Sequence, residues 1–163
     1  MLEEYLEYCL LAELCRIAWQ RKLRLEVLRA HTDQGGYDIL LEVGNLARHV
    51  QLKATYVGGK TTRQKINSAL EKKSGGCVIW MFYDQTTLQF RYFLWFGERD
   101  PRKPPPGLGN SVARHTKGDS SGVKSERPRI RVLNKGQFDI VESVEKLAER
   151  LFPPSLLANA TNG

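Results

Sequence analysis

Two strand patterns meet across a short connection between Tyr37 and Tyr56, and no other stretch limits the fold as tightly. In 37–43 the apolar Tyr37, Ile39, Leu41 and Val43 alternate with Asp38, Leu40 and Glu42; in 48–56 Val50, Leu52 and Ala54 alternate with His49, Gln51 and Lys53. A period of two sends successive side chains to opposite faces of a strand. The intervening 44–47, led by Gly44, reads as the turn of an antiparallel hairpin. Closed symmetrically with Val43 opposite Arg48, the hairpin sets Asp38 opposite Lys53, Leu40 opposite Gln51 and Glu42 opposite His49. One face is then dry and the other carries Asp38, Glu42, His49, Gln51 and Lys53. A one-residue slip would destroy this sorting.

Around this hairpin the periodicities predict an α/β fold: a single mixed central sheet flanked by helices. Residues 2–19 form a helix with Leu2, Tyr5, Leu6, Cys9, Leu10 and Ile17 in one broad stripe. Residues 23–30 form a first strand, and Asp33 to Gly36 a turn. Residues 61–73 are expected to be helical, with Ile66, Ala69 and Leu70 inward and Ser74-Gly75-Gly76 as the stop. Residues 77–83 and 88–96 are rich in β-branched and aromatic residues and read as strands. The stretch 97–128 holds Pro104-Pro105-Pro106 and shows no period, so it reads as a long basic loop. A short strand at 129–133 and an amphipathic helix at 140–152 complete one domain over 1–153, leaving 154–163 as a flexible tail.

The net charge of +7 is unevenly spread, with ten Lys and Arg against four acids between Glu98 and Lys135. Clustered cations gain affinity for a polyanion by releasing its counterions, so a phosphate-bearing partner is one reading and a solvated basic loop the other. The three cysteines form no close pair and read as reduced thiols, the apolar runs are short for a bilayer, and the first residues are acidic; together these point to a cytoplasmic protein. His31, His49 and His115 are too scattered for a zinc site, and no Ser or Cys has the nearby His and acid that nucleophilic catalysis needs. Trp80, Tyr83, Tyr92 and Trp95 offer stacking faces, but their strand context assigns most of them to the core.

Glu13 falls near the middle of the apolar stripe of the first helix, where a carboxylate is costly without a cationic partner. A metal ion, Lys53, or an ion pair with Arg16 or Arg21 would each answer that cost. A Glu-bearing helix, then Gly36-Tyr37-Asp38, then Gln51-Leu52-Lys53 resembles the PD-(D/E)XK nuclease superfamily, which includes many restriction enzymes and Holliday-junction resolvases. In that family a helix carrying a Glu precedes a strand bearing an Asp, and the next strand bears an acid or Gln, any residue, then Lys. The match runs from about Leu2 to Tyr83. Tyr37 stands where the motif has Pro, and Gln51 where an acid is more usual.

The resemblance implies a restriction-endonuclease-like αβββαβ core and a divalent-metal-dependent endonuclease acting on DNA, double-stranded or branched. Asp38, Gln51, the Leu52 carbonyl and Glu13 are then the expected ligands of Mg²⁺ or Mn²⁺, hard cations that favour oxygen. Lys53 is expected to orient the attacking water and stabilise the phosphoryl oxygens as a cation. Lys60, Arg63, Gln64 and Lys65, with Arg114, Lys117 and Lys124 of the basic stretch, are the expected contacts to nucleic acid. One small domain carries one such site, so a homodimer is the expected form for cutting both strands. The incomplete motif keeps a second reading open: a nuclease-like fold without catalysis that binds nucleic acid or a protein.

Overall fold

All seven residues of one strand, Cys77–Tyr83, are buried, which requires cover on both of its faces. The computed structural model, which describes residues 1–114, 118, 122 and 126–160, supplies that cover from two sides. In chain order the elements are α1 (Leu2–Gln20), β1 (Leu25–Arg29), β2 (Ile39–Val43), β3 (Leu46–Tyr56), β4 (Arg63–Asn67), β5 (Cys77–Tyr83), β6 (Phe90–Gly97), β7 (Val112–Arg114), β8 (Glu126–Asn134), β9 (Asp139–Val141), α2 (Val144–Leu151) and α3 (Pro154–Ala160). A six-stranded sheet runs β1-β2-β3-β5-β6-β9, and a three-stranded sheet runs β4-β8-β7. Among the described residues only the β3–β5 pairing is parallel, so the fold is α/β with a mixed sheet.

Alternation along β5 divides the core. Cys77, Ile79, Met81 and Tyr83 face Leu6, Leu10 and Leu14 of α1 and Leu147 and Leu151 of α2. Val78, Trp80 and Phe82 face the other way, into a second core built with Ile66, Leu70, Leu108, Leu133 and Phe138. The large sheet is thus the middle of three layers, with helices on one side and the small sheet on the other. Among the described residues no helix is long and apolar enough to cross a membrane.

Several expectations are corrected. The predicted helix at 61–73 is instead strand β4 followed by a 3-10 turn, Ser68–Lys72. Ile66 and Leu70 are both buried, as a helix would have them, but Asn67 caps the following turn by accepting the Ala69 N–H at 3.0 Å, and β8 offers a ladder partner to everything before it. The predicted helix at 140–152 begins only at Val144, because Ser143 accepts the Lys146 N–H at 3.2 Å as its cap and Ile140 pairs with Leu94 in the sheet. The stretch 97–128 is not a bare loop: it contains β7 and the start of β8, and Leu108 is buried with its N–H on the Glu71 carboxylate at 2.8 Å. Most of the expected tail is α3, which buries Leu157.

The hairpin forms, with its register moved by two residues. Val43 faces Leu46, Leu41 faces Arg48 and Ile39 faces Val50, because the turn uses two residues, with Gly44 at φ 61°. Continued one step, this register sets Asp38 level with Gln51 rather than Lys53. A shift of two leaves every side chain on its expected face, so Asp38, Gln51 and Lys53 still share one side.

Candidate active site

The site arises where β2 ends and β3 continues. Their ladder closes with the Asp38 N–H on the Val50 carbonyl at 2.8 Å, while the Asp38 carbonyl accepts the Ala30 N–H at 2.9 Å. Beyond that point β3 is paired only with β5, and its other edge is open. Asp38 reaches across the gap: its Oδ2 accepts the Leu52 N–H at 2.6 Å. In an extended strand the N–H and C=O of one residue point the same way, so the Leu52 carbonyl also faces the gap.

The loop before Asp38 is fixed from the small-sheet side. Gly36 has φ 73°, and a Cβ there would lie 2.7 Å from the Leu70 backbone nitrogen, so only glycine fits. Asn67 donates from its side chain to the Asp33 carbonyl at 2.8 Å. Strand β4 and its 3-10 turn therefore position the Asp38 loop, although they contribute no helix.

Asp38, Gln51, Leu52 and Lys53 line one cleft of about 470 Å³ together with Gln64 of β4 and Glu3, Glu4 and Glu7 of α1. A hollow of about 200 Å³ continues it past Asp33, Tyr37 and Lys65. Burial pushes the Asp38 carboxyl above its ordinary range, with Asp33 and Glu3 adding to the shift, against the Leu52 N–H and Lys53. Burial likewise pulls the Lys53 ammonium below its ordinary range, with Lys65 adding to the shift, against Asp38, Glu3 and Asp33. Both ions are thus held at a cost. Gln51 adds a third unmet demand, since its Oε1 is buried and has no hydrogen-bond partner among the described residues.

That orphaned oxygen tests whether the donors suit a divalent ion. Asp38, Gln51 and Leu52 line the cleft together and offer a carboxylate, an amide oxygen and a backbone carbonyl, all hard oxygen donors of the kind Mg²⁺ takes while retaining several waters. The set is sparse: no group of three or more His, Cys, Asp and Glu side chains arranged to hold a metal occurs among the described residues. It fits a hard, partly hydrated cation and does not fit a closed structural cage.

Glu13 is not part of this group. It does not line the cleft, and the charges that act on it are Arg16 and, from α2, Glu145. Ten residues separate it from Glu3, which on an α-helix is about 15 Å along the axis. The helix acids at the cleft are Glu3, Glu4 and Glu7, whose signal in the sequence is an i, i+4 pair, Glu3 and Glu7, beside the buried stripe of Leu6, Leu10 and Leu14. Of the expected nucleic-acid contacts, Gln64 lines the cleft and Lys65 its continuation, while Lys60 and Arg63 are exposed beside them. Arg114 lies in β7, on the far edge of the small sheet, and Lys117 and Lys124 lie outside the described residues. His49 is turned aside, with Nδ1 against the Ser74 carbonyl at 2.8 Å. Trp80, Tyr83 and Trp95 are core, and Trp80 donates to the Thr55 hydroxyl at 2.9 Å. No family model matches the chain, and no curated protein matches it in sequence.

Proposed function

We propose that the protein is a divalent-metal-dependent nuclease of restriction-endonuclease-like fold that hydrolyses DNA phosphodiester bonds at the Asp38 cleft. The observation that carries this reading is the buried, unpartnered Gln51 Oε1 beside the Asp38 carboxylate and the Lys53 ammonium. The order helix, hairpin, crossover and parallel strand supports the same fold, with β4 and a 3-10 turn standing where the αβββαβ core has a helix.

Asp38, Gln51 and the Leu52 carbonyl would hold Mg²⁺ or Mn²⁺, which supplies an activated water and compensates charge on the phosphoryl oxygens. The Leu52 N–H fixes one oxygen of the Asp38 carboxylate, at the wall of the cleft. No carboxylate lies within 4 Å of the Lys53 nitrogen among the described residues, so the ammonium is free to donate to a phosphoryl oxygen and to orient the attacking water. Gln64 and Lys65 stand on the opposite wall, where a phosphate backbone would pass.

Purified protein should nick DNA with Mg²⁺ or Mn²⁺ and stop on chelation. Asp38→Ala and Lys53→Ala should each lower the rate by at least about a hundred-fold while the melting temperature shows a folded chain. Full activity in both variants would sink the proposal. The sparse ligand set favours one second reading, a fold that binds nucleic acid without cutting it. Calorimetry separates the two, because that reading requires salt-sensitive DNA binding with no Mn²⁺ binding.

A further inference from the structure

A second cavity opens on the same face of the large sheet as the cleft. The pairings put Lys53, Trp80, Leu94 and Ile140 in one row across β3, β5, β6 and β9. Ile140 therefore shares the Lys53 face three strand steps away, about 14 Å. The middle of the row is roofed: Trp80 is fully buried, with the Phe138 ring 5.3 Å from its own. Beyond that roof the sheet is bare again, in a groove of about 730 Å³ lined by Tyr92, Leu94, Phe138, Ile140, Lys135 and Arg91. Ile140 is 71% exposed there. The Tyr92 ring lies on buried Phe82 at 4.5 Å with the planes 11° apart, a platform fixed from beneath.

The charge at this groove has one sign left over. Glu142 is paired with Lys146 at 3.0 Å, Asp139 with Arg150 at 3.1 Å, and Arg91 with Asp84 at 3.3 Å. Lys60, Arg63 and Lys135 form no ion pair among the described residues, and the Lys135 ammonium lies 4.8 Å from the centroid of the Phe82 ring, on the platform that carries Tyr92. They stand together, since Arg63 is level with Asn134 and the Lys135 N–H donates to the Thr62 carbonyl at 2.8 Å. Gln64, the next residue after Arg63, lines the cleft. From Gln64 at the cleft, Arg63 and then Lys135 follow one another at the end of the small sheet, and Lys135 lines the apolar groove with its fixed aromatic ring.

We propose that the groove is a base-stacking subsite for single-stranded nucleic acid, Tyr92, Leu94 and Ile140 receiving a base and Lys60, Arg63 and Lys135 holding the phosphates that lead to it. The assignment rests on the nucleic-acid reading of the cleft. Unpaired cations beside an aromatic platform suit a strand that alternates phosphates with flat bases. They suit a protein segment poorly, because docking apolar side chains would leave Lys60 and Arg63 without an anionic partner.

The test is fluorescence anisotropy with labelled single-stranded DNA of about twelve nucleotides, in chelator so that nothing is cut, alongside a cleavage assay with Mn²⁺. Tyr92→Ala, Ile140→Glu and Lys135→Glu should each weaken binding by about five- to a hundred-fold. Ile140 and Lys135 are exposed, so these two substitutions keep the test valid if loss of the Tyr92 ring disturbs Phe82. Wild-type affinity in Ile140→Glu and Lys135→Glu, with cutting intact, would overturn the subsite and leave the cleft's function standing. No binding and no cutting by the wild-type protein would overturn both.

Discussion

At the scale of single residues, Gln51 decides more than its place in a motif suggests. A buried acceptor without a partner costs about 1–3 kcal/mol, and a folded protein keeps such an atom where something else completes it. Gln51→Leu should therefore raise the unfolding midpoint of the metal-free protein while removing the stabilisation that Mn²⁺ gives the wild type. That stabilisation is about 2.7 kcal/mol at a hundred times the dissociation constant. Gln51→Glu should do the reverse, unfolding earlier without metal and gaining more from Mn²⁺, because a second carboxylate is added beside Asp38. Thermal melts with Mn²⁺ and with chelator measure both, and an unchanged Mn²⁺ shift in Gln51→Leu would show that this oxygen binds no ion. Asp38, Gln51 and Lys53 were legible in the sequence because strand parity alone sorts them, and a two-residue error in register preserves parity. The helix acid was not, because choosing Glu3 and Glu7 over Glu13 requires knowing which turn of α1 lies against the open edge of β3.

At the scale of elements, Arg48 shows what alternation cannot reveal. It sits on the dry face of β3 and is fully buried, which parity allows and charge opposes. Its guanidinium donates to the carbonyls of Leu151 at 2.8 Å, Arg150 at 2.9 Å, Glu98 at 2.8 Å and Arg99 at 2.9 Å, and it lies 5.1 Å from the Trp95 ring centroid. Two of those carbonyls close the C-terminal end of α2, where a cation is favoured. The neighbouring Cys77 thiol is pushed up to about 12 by burial and stays neutral, so the carbonyls rather than a counterion hold the charge. Arg48→Met would strand four carbonyl acceptors, one buried and three partly buried, and should cost at least about 3 kcal/mol in urea denaturation. Arg48→Lys should recover little of that, because one ammonium cannot reproduce the planar fork. Stability equal to wild type in both variants would show that the α2 end and the 98–99 turn hold themselves. Glu98 and Arg99 lie 50 and 51 residues down the chain and Arg150 and Leu151 102 and 103, and nothing near Arg48 marks them. The strand at β4 was hidden for the same reason: Ile66 and Leu70 satisfy a helical spacing, and only the distant β8 makes the extended form better.

At the scale of the whole molecule, the layers separate charge as well as apolar surface. Helix α1 carries four acids and one base, whereas 60–67 and 126–135, strands β4 and β8 of the small sheet with their flanks, carry seven bases and one acid. The cleft lies between these layers, with Glu3, Glu4 and Glu7 on one wall and Gln64 and Lys65 near the other. A polyanion is therefore drawn along the small sheet and repelled from α1, which gives the cleft a direction of approach that neither its shape nor its volume sets. Binding driven this way releases counterions, so the logarithm of affinity for single-stranded DNA should fall linearly with the logarithm of salt concentration. Each phosphate contact contributes a slope of about 0.7. Lys60→Gln, Arg63→Gln and Lys65→Gln should each flatten that slope by about 0.7, and their triple variant by about the sum, since the residues contact separate phosphates. Glu4→Gln should leave the slope unchanged and raise affinity at every salt concentration, because it removes a repulsion without adding a contact. Anisotropy titrations across a salt series in chelator measure all of these. Slopes that stay at the wild-type value in the triple variant would place the phosphate path elsewhere on the molecule, and with it the side from which a strand reaches Asp38.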